Sequence, residues 1–312
     1  MGFFLGIDGG GTKTECVLAE ESGAVVARAT GAGTNLRRVE ASGLRATLSD
    51  CLEELRRAAG LRTMTVEAVG AGFAGVSDAR GRAMAEQVLA ELLRPKFLYV
   101  VGDMEVALEA AVGAGSGVVL IAGTGSVAYG RNDSGQQARA GGRGPQGSDE
   151  GSGFDIGRAA VEAARRAAEG PGAETVLSKA VPAALGIETT QELEGWASSE
   201  RATELAGLVP LVARAARQGD AVAGEILRQA ARELAKLAVE VVQRLNLSEK
   251  EVLIAGSGGV FQESPEVVAQ ARQEILAAAP RARLEPLAVS PAEGAVRLAQ
   301  RLWLQEGATP TA

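Results

Sequence analysis

An apolar strand, a glycine-rich turn and a second strand occur in this order twice along the chain, and no other feature constrains the fold as much. The first copy runs over residues 5–30 and the second over 117–140, about 114 residues later, and each continues through a polar turn into a third strand. Because a strand follows each turn, neither is a Walker loop or a dinucleotide-binding fingerprint, which both need a helix next. The repeat predicts two similar domains, and chance likeness between two glycine hairpins is the alternative.

The first turn, residues 9–13, has the composition of a phosphate-binding loop. Its three glycines allow positive φ angles and leave no Cβ between the backbone N–H groups and a bound anion. Thr12 adds a hydroxyl and Lys13 a positive charge, while Asp8 at the strand end is placed to hold Mg²⁺ through water. The segment is therefore predicted to bind a nucleotide phosphate. An ordinary β-hairpin that needs glycine only for its turn is the alternative.

The composition limits the classes of function. The 312 residues, 46% of them hydrophobic, can bury two separate cores. A net charge of -7 without a cluster of Lys and Arg disfavours nucleic acids and anionic membranes as partners. No apolar stretch reaches the roughly 20 residues of a membrane span, and the N-terminus has no signal-peptide pattern, so a cytoplasmic protein is expected.

Histidine is absent and cysteine is rare. Because the chain has no histidine, Ser-His-Asp and Cys-His catalysis are excluded, and a general base must be Asp, Glu or an unusual Lys. Cys16 and Cys51 lack metal-ligand spacing and are expected to be buried, inert thiols. Aromatic residues make up 3% of the chain, which argues against a stacking platform for polysaccharide or single-stranded nucleic acid.

Outside the two hairpins, the hydrophobic periodicity predicts alternating helices and strands, as in an α/β protein. Leu44, Leu48, Leu52 and Leu55 are spaced for one face of a helix. Asp103 follows a predicted buried strand and precedes a helix, so it is either a base that projects into a cleft or a helix cap. The predicted strands are 14–19, 24–30, 66–73, 97–101, 117–122, 127–130, 136–140 and 252–255, and the predicted helices are 39–60, 79–93, 104–112, 158–169, 221–245 and 292–305.

The first turn, its repeat, the pair Gly102-Asp103 and the segment 256–259 together resemble the sugar kinases of the actin/hexokinase/Hsp70 ATPase fold. The chain is most similar to the N-acetylglucosamine and glucosamine kinases of the BadF/BadG/BcrA/BcrD ATPase family, over nearly its whole length. The resemblance implies an α/β fold of two duplicated, ribonuclease H-like ATPase domains with a cleft between them. The implied domains are residues 1–115, completed by the helix at 292–312, and residues 116–291.

The resemblance also implies a site built from both domains. Its catalytic base is Asp103, which also contacts the sugar, and Asn35 and Asp149 bind sugar hydroxyls. The alternatives are a turn residue or helix cap for Asn35, and a solvated loop for Asp149 and Glu150. The family's ATP and phosphate contacts correspond to Gly10, Gly11, Thr12, Lys13, Thr124, Gly125, Gly256, Ser257, Gly258 and Gly259, and its further sugar contacts to Ser126, Gly142, Arg143 and Gly144.

Three positions depart from the family's pattern. Arg143 stands where relatives that act on acetylated hexosamines usually have Trp, and Ser148 stands where they usually have Gly. Ala74 occupies a position at which some relatives have serine. Arg143 is compatible with an anionic or strongly hydrogen-bonding sugar substituent, and the alternative is a side chain in solvent.

The expected function is transfer of the γ-phosphoryl group of ATP to the primary 6-hydroxyl of an amino sugar, N-acetylglucosamine or glucosamine, with Mg²⁺. Only small molecules are expected as ligands, and the resemblance allows a homodimer. A non-catalytic sugar or nucleotide sensor on the same fold is one alternative. The other is a dehydratase-activating ATPase of this group, which holds an iron–sulfur cluster on cysteines. ROK sugar kinases share the opening motif but usually carry a Cys/His zinc site, which a chain without histidine cannot build.

Overall fold

The computed structural model describes residues 2–144, 147, 149–170, 172–188, 190–196 and 201–307. Ser148, one of the departures from the family pattern, lies outside the described residues. The strands are β1 (Phe3–Gly9), β2 (Lys13–Glu20), β3 (Val25–Ala32), β4 (Val66–Phe73), β5 (Phe97–Gly102), β6 (Gly117–Ala122), β7 (Ser126–Arg131), β8 (Gln137–Gly141), β9 (Val252–Ser257) and β10 (Ala282–Pro286).

Helices account for most of the remaining described residues. None of them is long and apolar enough to cross a membrane, as far as the described residues go. They are α1 (Ala41–Ala58), α2 (Ala79–Leu93), α3 (Asp103–Val112), α4 (Gly153–Glu169), α5 (Leu177–Leu185), α6 (Ala202–Ala206), α7 (Val209–Arg217), α8 (Ala221–Arg244), α9 (Gly259–Glu263), α10 (Pro265–Ala278) and α11 (Pro291–Gly307), with a 3₁₀-helix at Thr190–Gly195.

The chain divides into two compact units that contain sheets of the same topology. Unit 1 comprises Met1–Ala114 and Ala288–Ala312, and unit 2 comprises Gly115–Leu287. The strand order is β3-β2-β1-β4-β5 in unit 1 and β8-β7-β6-β9-β10 in unit 2. In each sheet the first three strands are antiparallel and the last two lie parallel to the central one. The hairpin repeat in the sequence therefore corresponds to two copies of one five-stranded sheet.

Helix α1 shows how the apolar periodicity positions an element on the sheet of unit 1. Its buried side chains are Leu44, Leu48, Cys51 and Leu55, which recur at three- and four-residue intervals as one face of a helix requires. Cys51, and not the predicted Leu52, completes this face, because Leu52 is only half-buried. The stripe packs against Ile7, Cys16 and Leu18 on the sheet.

Some boundaries differ from the predicted ones. Strand 66–73 and helix 79–93 have the predicted bounds, whereas α4 begins at Gly153, five residues before the predicted start. The reason is a cap: the Ser152 hydroxyl accepts a hydrogen bond from the Asp155 N–H at 3.2 Å, which stabilises a helix start inside a glycine-rich segment. The sequence patterns did not predict α10 or β10.

Candidate active site

The first glycine turn, residues 10–12, joins β1 to β2 and is open to solvent. The N–H of Gly10 donates to the Lys13 carbonyl at 2.9 Å and closes the hairpin. The N–H groups of Gly11 and Thr12 donate to no other described residue, and Gly11, Thr12 and Lys13 are exposed. These two N–H groups, the Thr12 hydroxyl and the Lys13 ammonium are therefore available to an anion.

The glycines before and within this turn differ in what a side chain would meet. None of Gly9, Gly10 and Gly11 has a positive φ angle, so the expectation of left-handed backbone here is wrong. A Cβ on Gly9 would lie 2.3 Å from the Phe73 ring and 2.4 Å from Thr34 Oγ1. By contrast, nothing lies within 4 Å of a Cβ built on Gly11. Side chains that pack around the end of β1, and not the turn geometry, exclude a side chain at Gly9.

Two buried threonines outside the predicted site hold the segment 33–35 against the turn. Thr14 Oγ1 donates to the Ala32 carbonyl at 2.6 Å, which uses its single hydroxyl hydrogen. Thr34 is then the donor in the 2.8 Å bond between the two hydroxyls, and its N–H donates to the Gly10 carbonyl at 3.0 Å. The sequence signal for this contact is a pair of threonines beside glycines. Thr34 directly follows a glycine, and Thr14 directly follows the sequence glycine-threonine-lysine.

Asn35 is a turn residue with one half of its amide still available. Its Oδ1 accepts the Arg37 N–H at 3.0 Å, and its carbonyl accepts the N–H groups of Arg38 and Val39. The interpretation of Asn35 as a turn residue is therefore confirmed. Its Nδ2 donates to no described residue, so this NH₂ group can still donate to a sugar oxygen, and the role as a sugar ligand stays a prediction.

Asp8 and Asp103 lie near one another although 94 residues separate them in the sequence. β1, β4 and β5 are parallel, so the carboxyl ends that carry these two residues lie at one edge of the sheet. Burial, and then the negative charges of Asp103 and Glu15, raise the pKa of Asp8 to about 7, while Lys13 acts in the opposite direction. The edge of the sheet beside the first turn thus carries an excess of negative charge.

This charge excess fits a divalent cation. Carboxylate oxygens are the ligands that Mg²⁺ prefers, and the ion usually retains several waters and binds substrate phosphates besides one or two carboxylates. No group of three or more potential metal ligands occurs in the described part of the chain. Asp8 and Asp103 fit Mg²⁺ that is bound partly by water and phosphate, and they do not form a closed protein cage.

Asp103 is the first residue of α3 but does not serve as its capping residue. The cap is Gly102, whose N–H donates to Glu105 Oε1 at 3.0 Å, the half of a capping box that needs no side chain on the cap residue. Asp103 is half-buried, and its Oδ1 accepts the Met104 N–H at 3.0 Å. The interpretation of Asp103 as the helix cap is therefore wrong. The positive end of the helix dipole stabilises its carboxylate at this position.

The second glycine turn, residues 123–125, joins β6 to β7 and is covered by helix α4. The N–H of Gly123 donates to the Gly125 carbonyl at 2.9 Å, which closes this hairpin. The first N–H groups of α4 donate back to the turn: Gly153 to the Gly123 carbonyl at 2.8 Å, and Phe154 to the Thr124 carbonyl at 3.2 Å. Thr124 is half-buried beneath this helix start, and its contact with ATP stays a prediction.

Asp149 and Ser126 are buried beside the second turn, with relative exposures of 8% and 2%. The Ser126 N–H donates to Asp149 Oδ1 at 3.4 Å, and the Ser126 hydroxyl donates to the Glu150 carbonyl at 2.8 Å. A Cβ on Gly125 would lie 2.9 Å from Asp149 Oδ1, so a side chain there would force the Asp149 carboxylate to shift. Burial raises the pKa of Asp149, and the hydrogen bond from the Ser126 N–H acts in the opposite direction. The solvated-loop interpretation is wrong for Asp149, whereas Glu150 is exposed.

The segment 141–144 depends on left-handed glycines. Gly141, Gly142 and Gly144 have φ angles of 73°, 71° and 92°, a region that side chains other than glycine rarely adopt. Arg143 lies between them and is exposed. Its predicted role in sugar recognition stays a prediction.

The segment 256–259 lies close to the end of β6 and, apart from Ser257, consists of glycines. Gly258 has a φ of 104°, and a Cβ on it would lie 2.3 Å from the Ala122 carbonyl oxygen. Ser257 is half-buried and Gly259 is exposed, with no atom within 4 Å of a Cβ built on it. A flat backbone surface of this kind lets a planar group approach closely, and the role in adenosine binding stays a prediction.

The two cysteines are buried, as predicted. Cys16 lies in β2 and Cys51 in α1, both in the core of unit 1. Burial of this kind suits inert thiols.

Comparisons with known proteins agree with these features. The model of the BadF/BadG/BcrA/BcrD ATPase family matches residues 5–299. The chain belongs to this family. The N-acetylmuramic acid/N-acetylglucosamine kinase of Clostridium acetobutylicum is 30% identical over 302 residues, which cover 96% of this chain and 99% of the relative. The N-acetyl-D-glucosamine kinase of Dictyostelium discoideum is 29% identical over 309 residues, 95% of this chain and 97% of the relative.

A solved structure supports the same assignment at the level of the fold. A proposed N-acetylglucosamine kinase from Chromobacterium violaceum superposes with a TM-score of 0.75 and 27% identity, and the match covers 96% of this chain and 99% of that one. The family resemblance and the fold class predicted from the sequence are thereby confirmed for this member of the BadF/BadG/BcrA/BcrD ATPase family.

Proposed function

We propose that this ATPase-family member is a sugar kinase that transfers the γ-phosphoryl group of ATP to the 6-hydroxyl of an amino sugar, N-acetylglucosamine or glucosamine. The observation that carries the proposal is the pair Asp8 and Asp103 at one edge of the sheet, beside a turn with two unused N–H groups. Kinase relatives that match over nearly the whole chain support the substrate class. The proposed domains are residues 1–115 with 292–312, and residues 116–291.

In the proposed mechanism, the first turn and its neighbours hold the phosphates. The N–H groups of Gly11 and Thr12 and the Lys13 ammonium bind phosphate oxygens, and Asp8 holds Mg²⁺ through water. The ion supplies charge neutralisation for the transferred group when it is bound. Because burial, and then the negative charges of Asp103 and Glu15, raise the pKa of Asp8, a cation bound at this edge would favour the ionised carboxylate.

Asp103 orients the attacking hydroxyl and accepts its proton. Its hydrogen bond from the Met104 N–H fixes the side chain at the start of α3. Asn35 Nδ2 and Asp149 are the proposed partners of the sugar hydroxyls. Asp149 is buried against Ser126 and Gly125, so its position does not depend on solvent.

The decisive experiment is an ADP-release assay with Mg²⁺ and a panel of sugars: N-acetylglucosamine, glucosamine, N-acetylmannosamine and N-acetylmuramic acid. We expect turnover with at least one of the first two. 6-Deoxy-N-acetylglucosamine is the matched control, because it keeps every other hydroxyl, and it should inhibit without releasing ADP above the background. Phosphate on the sixth carbon of the product, located by NMR, would establish the position of transfer.

Other outcomes point to other functions. Binding of a sugar without ADP release would favour the non-catalytic sensor. Stronger turnover with N-acetylmuramic acid than with N-acetylglucosamine would shift the substrate to the sugar that carries a carboxylate. A coloured protein with an iron–sulfur absorption band would support the dehydratase activator instead.

A further inference from the structure

Helix α11 lies directly on the two elements that carry Asp8 and Asp103. A Cβ on Gly6 of β1 would lie 2.0 Å from the Ala292 carbonyl oxygen of α11. In the same way, a Cβ on Gly294 of α11 would lie 2.1 Å from the Val106 carbonyl oxygen of α3. The backbone of one helix therefore touches both the strand that carries Asp8 and the helix that begins at Asp103.

Apolar packing holds α3 against α11, because Val106 clusters with Ala295 and Leu298 and Val106 and Ala110 lie opposite Gly294. Such non-directional contacts fix the axial register of α3 less strictly than charged hydrogen bonds do. At its N-terminal end, α3 is held by the capping box of Gly102 and Glu105. A ten-residue helix moves as a rigid body of about 15 Å, so any axial shift is passed unchanged to Asp103.

Two arginines of α11 fix the other end of α3. Arg301 Nη2 lies 2.5 Å from Oε1 of Glu109, whose side chain is 4% exposed. Arg297 Nη1 donates to the Ala110 carbonyl at 3.1 Å. Arg301 Nε is buried and has no acceptor among the described residues. The guanidinium therefore keeps its contact with Glu109 although one of its own donors stays unsatisfied.

We propose that Arg301 and Glu109, assisted by Arg297, are positioning residues that set the axial register of α3 and so the place of the Asp103 carboxylate. The proposal rests on the proposed function, because it concerns the base of that reaction. A displacement of about 1 Å at a reacting group can lower turnover by as much as about 100-fold. Loss of the register should therefore lower kcat by much more than it changes the binding of sugar, and it should leave the binding of ATP unchanged.

The experiment compares the single variants Arg301→Gln and Glu109→Gln with the double variant, using the full chain. Each single variant leaves one charge without its partner and should lower both Tm and kcat. The double variant removes both charges, so its Tm should return toward that of the wild type. Its kcat should stay reduced by about tenfold, with KM for ATP and sugar within about twofold of wild type, and Arg301→Lys should restore most of the kcat.

Two further variants separate positioning from general stabilisation. Gln300→Ala is the matched control, because Gln300 tethers the same helix to the carbonyls of Glu20 and Glu21, away from α3; its kcat should equal that of wild type. Arg297→Gln loses one hydrogen bond at an exposed side chain and should fold in any case, with a kcat about threefold lower.

The outcomes are distinct. Wild-type kcat in the folded double variant and in Arg297→Gln would overturn the proposal, as would an equal loss of kcat in Gln300→Ala. If the double variant does not fold, the kcat values of Arg297→Gln and Arg301→Lys test the proposal instead. Absence of turnover in the wild-type chain with every sugar would overturn the proposed function before any variant is compared.

Discussion

The two glycine turns occupy the same place in two sheets of the same strand order, yet they differ in how exposed their backbone N–H groups are. In the first turn, the N–H groups of Gly11 and Thr12 remain unpaired within the described chain, and the surrounding residues are exposed. In the second, helix α4 donates to the carbonyls of Gly123 and Thr124, and Asp149 is buried alongside, while the N–H groups of Thr124 and Gly125 donate to no described residue either. The same sequence pattern thus produces one exposed, open turn and one half-buried turn covered by α4, and the packing around each decides how accessible its N–H groups are.

The comparison predicts that the largest loss of activity follows a change beside the open turn. Asp103→Asn removes the proposed base and should lower kcat by about 100- to 10,000-fold, while the Kd for ATP stays within about twofold. Asp149→Asn, beside the covered turn, should act mainly through the KM for sugar. Steady-state kinetics of the two variants, with calorimetric titration of ATP, measures both effects.

Glu105→Gln is the control for the Asp103 variant. Gln at this position retains the capping box, so the helix should start at the same residue and kcat should remain near that of wild type. A kcat for Asp103→Asn within about twofold of wild type would show that Asp103 is not the base.

The next largest effect is on stability and depends on pH. Since burial, and then nearby negative charges, raise the pKa of Asp8 from its ordinary value of 3.8 to about 7 in the fold, the folded chain binds more protons than the unfolded chain between these pH values. Stability contributed by Asp8 therefore falls as pH rises through this window, and above it the ionised group destabilises the fold on the order of 4 kcal/mol. Asp8→Asn should raise the free energy of unfolding at pH 8 and leave it nearly unchanged at pH 3.5.

Urea unfolding at the two pH values tests this, with and without Mg²⁺. The control is Asp133→Asn, because hydrogen bonds from Ser116 and Lys250 lower the pKa of that exposed carboxylate, so its removal should not stabilise the protein at pH 8. Mg²⁺ should stabilise wild type more than Asp8→Asn. Equal stability of wild type and Asp8→Asn at pH 8 would contradict the charge excess at this edge.

A third prediction contrasts the two turns through their glycines. Gly125→Ala places a Cβ 2.9 Å from Asp149 Oδ1, and the required shift should lower the free energy of unfolding by about 1–3 kcal/mol. Gly11→Ala meets no atom within 4 Å and has no positive φ, so it should change stability by no more than about 0.5 kcal/mol in either direction. Thermal unfolding of both variants checks the contrast, and an equal loss would show that the two turns are packed alike.

Much of the fold could be predicted because its signals are local. The apolar periodicity of strand 66–73 and helix 79–93 is contained in the segments themselves, and their bounds agree with the structure. The start of α4 was mispredicted since Gly151 and Gly153 suggest a loop, and only the Ser152 cap shows that a helix begins.

The site was harder to predict because its contacts connect distant segments. Gly9 must be glycine because Phe73, on another strand, occupies the space of a Cβ. The rise in the pKa of Asp8 depends first on burial and then on Asp103, which strand pairing and not sequence distance brings close. The family resemblance supplied Asp103 and Asn35, but it did not indicate Thr14 and Thr34, since their contact is a detail of packing.

The smallest expected effect concerns those two threonines, and it tests how the open turn is held in place. Thr34 donates one hydroxyl hydrogen bond to Thr14, so Thr34→Val should lower the free energy of unfolding by about 1 kcal/mol. Thr14→Val removes that acceptor and also the donor to the Ala32 carbonyl, and it leaves the Thr34 hydroxyl buried without its partner. Its loss should be about twice as large.

Urea denaturation of the two single variants and the double variant measures this asymmetry. In the double variant no hydroxyl is stranded, so its loss should be smaller than the sum of the single losses. If Thr34→Val destabilised the protein as much as Thr14→Val, the direction of the hydrogen bond deduced from the Ala32 contact would be wrong. In that case, the segment 33–35 would be held to the open turn mainly by the backbone bond from Thr34 N–H to the Gly10 carbonyl.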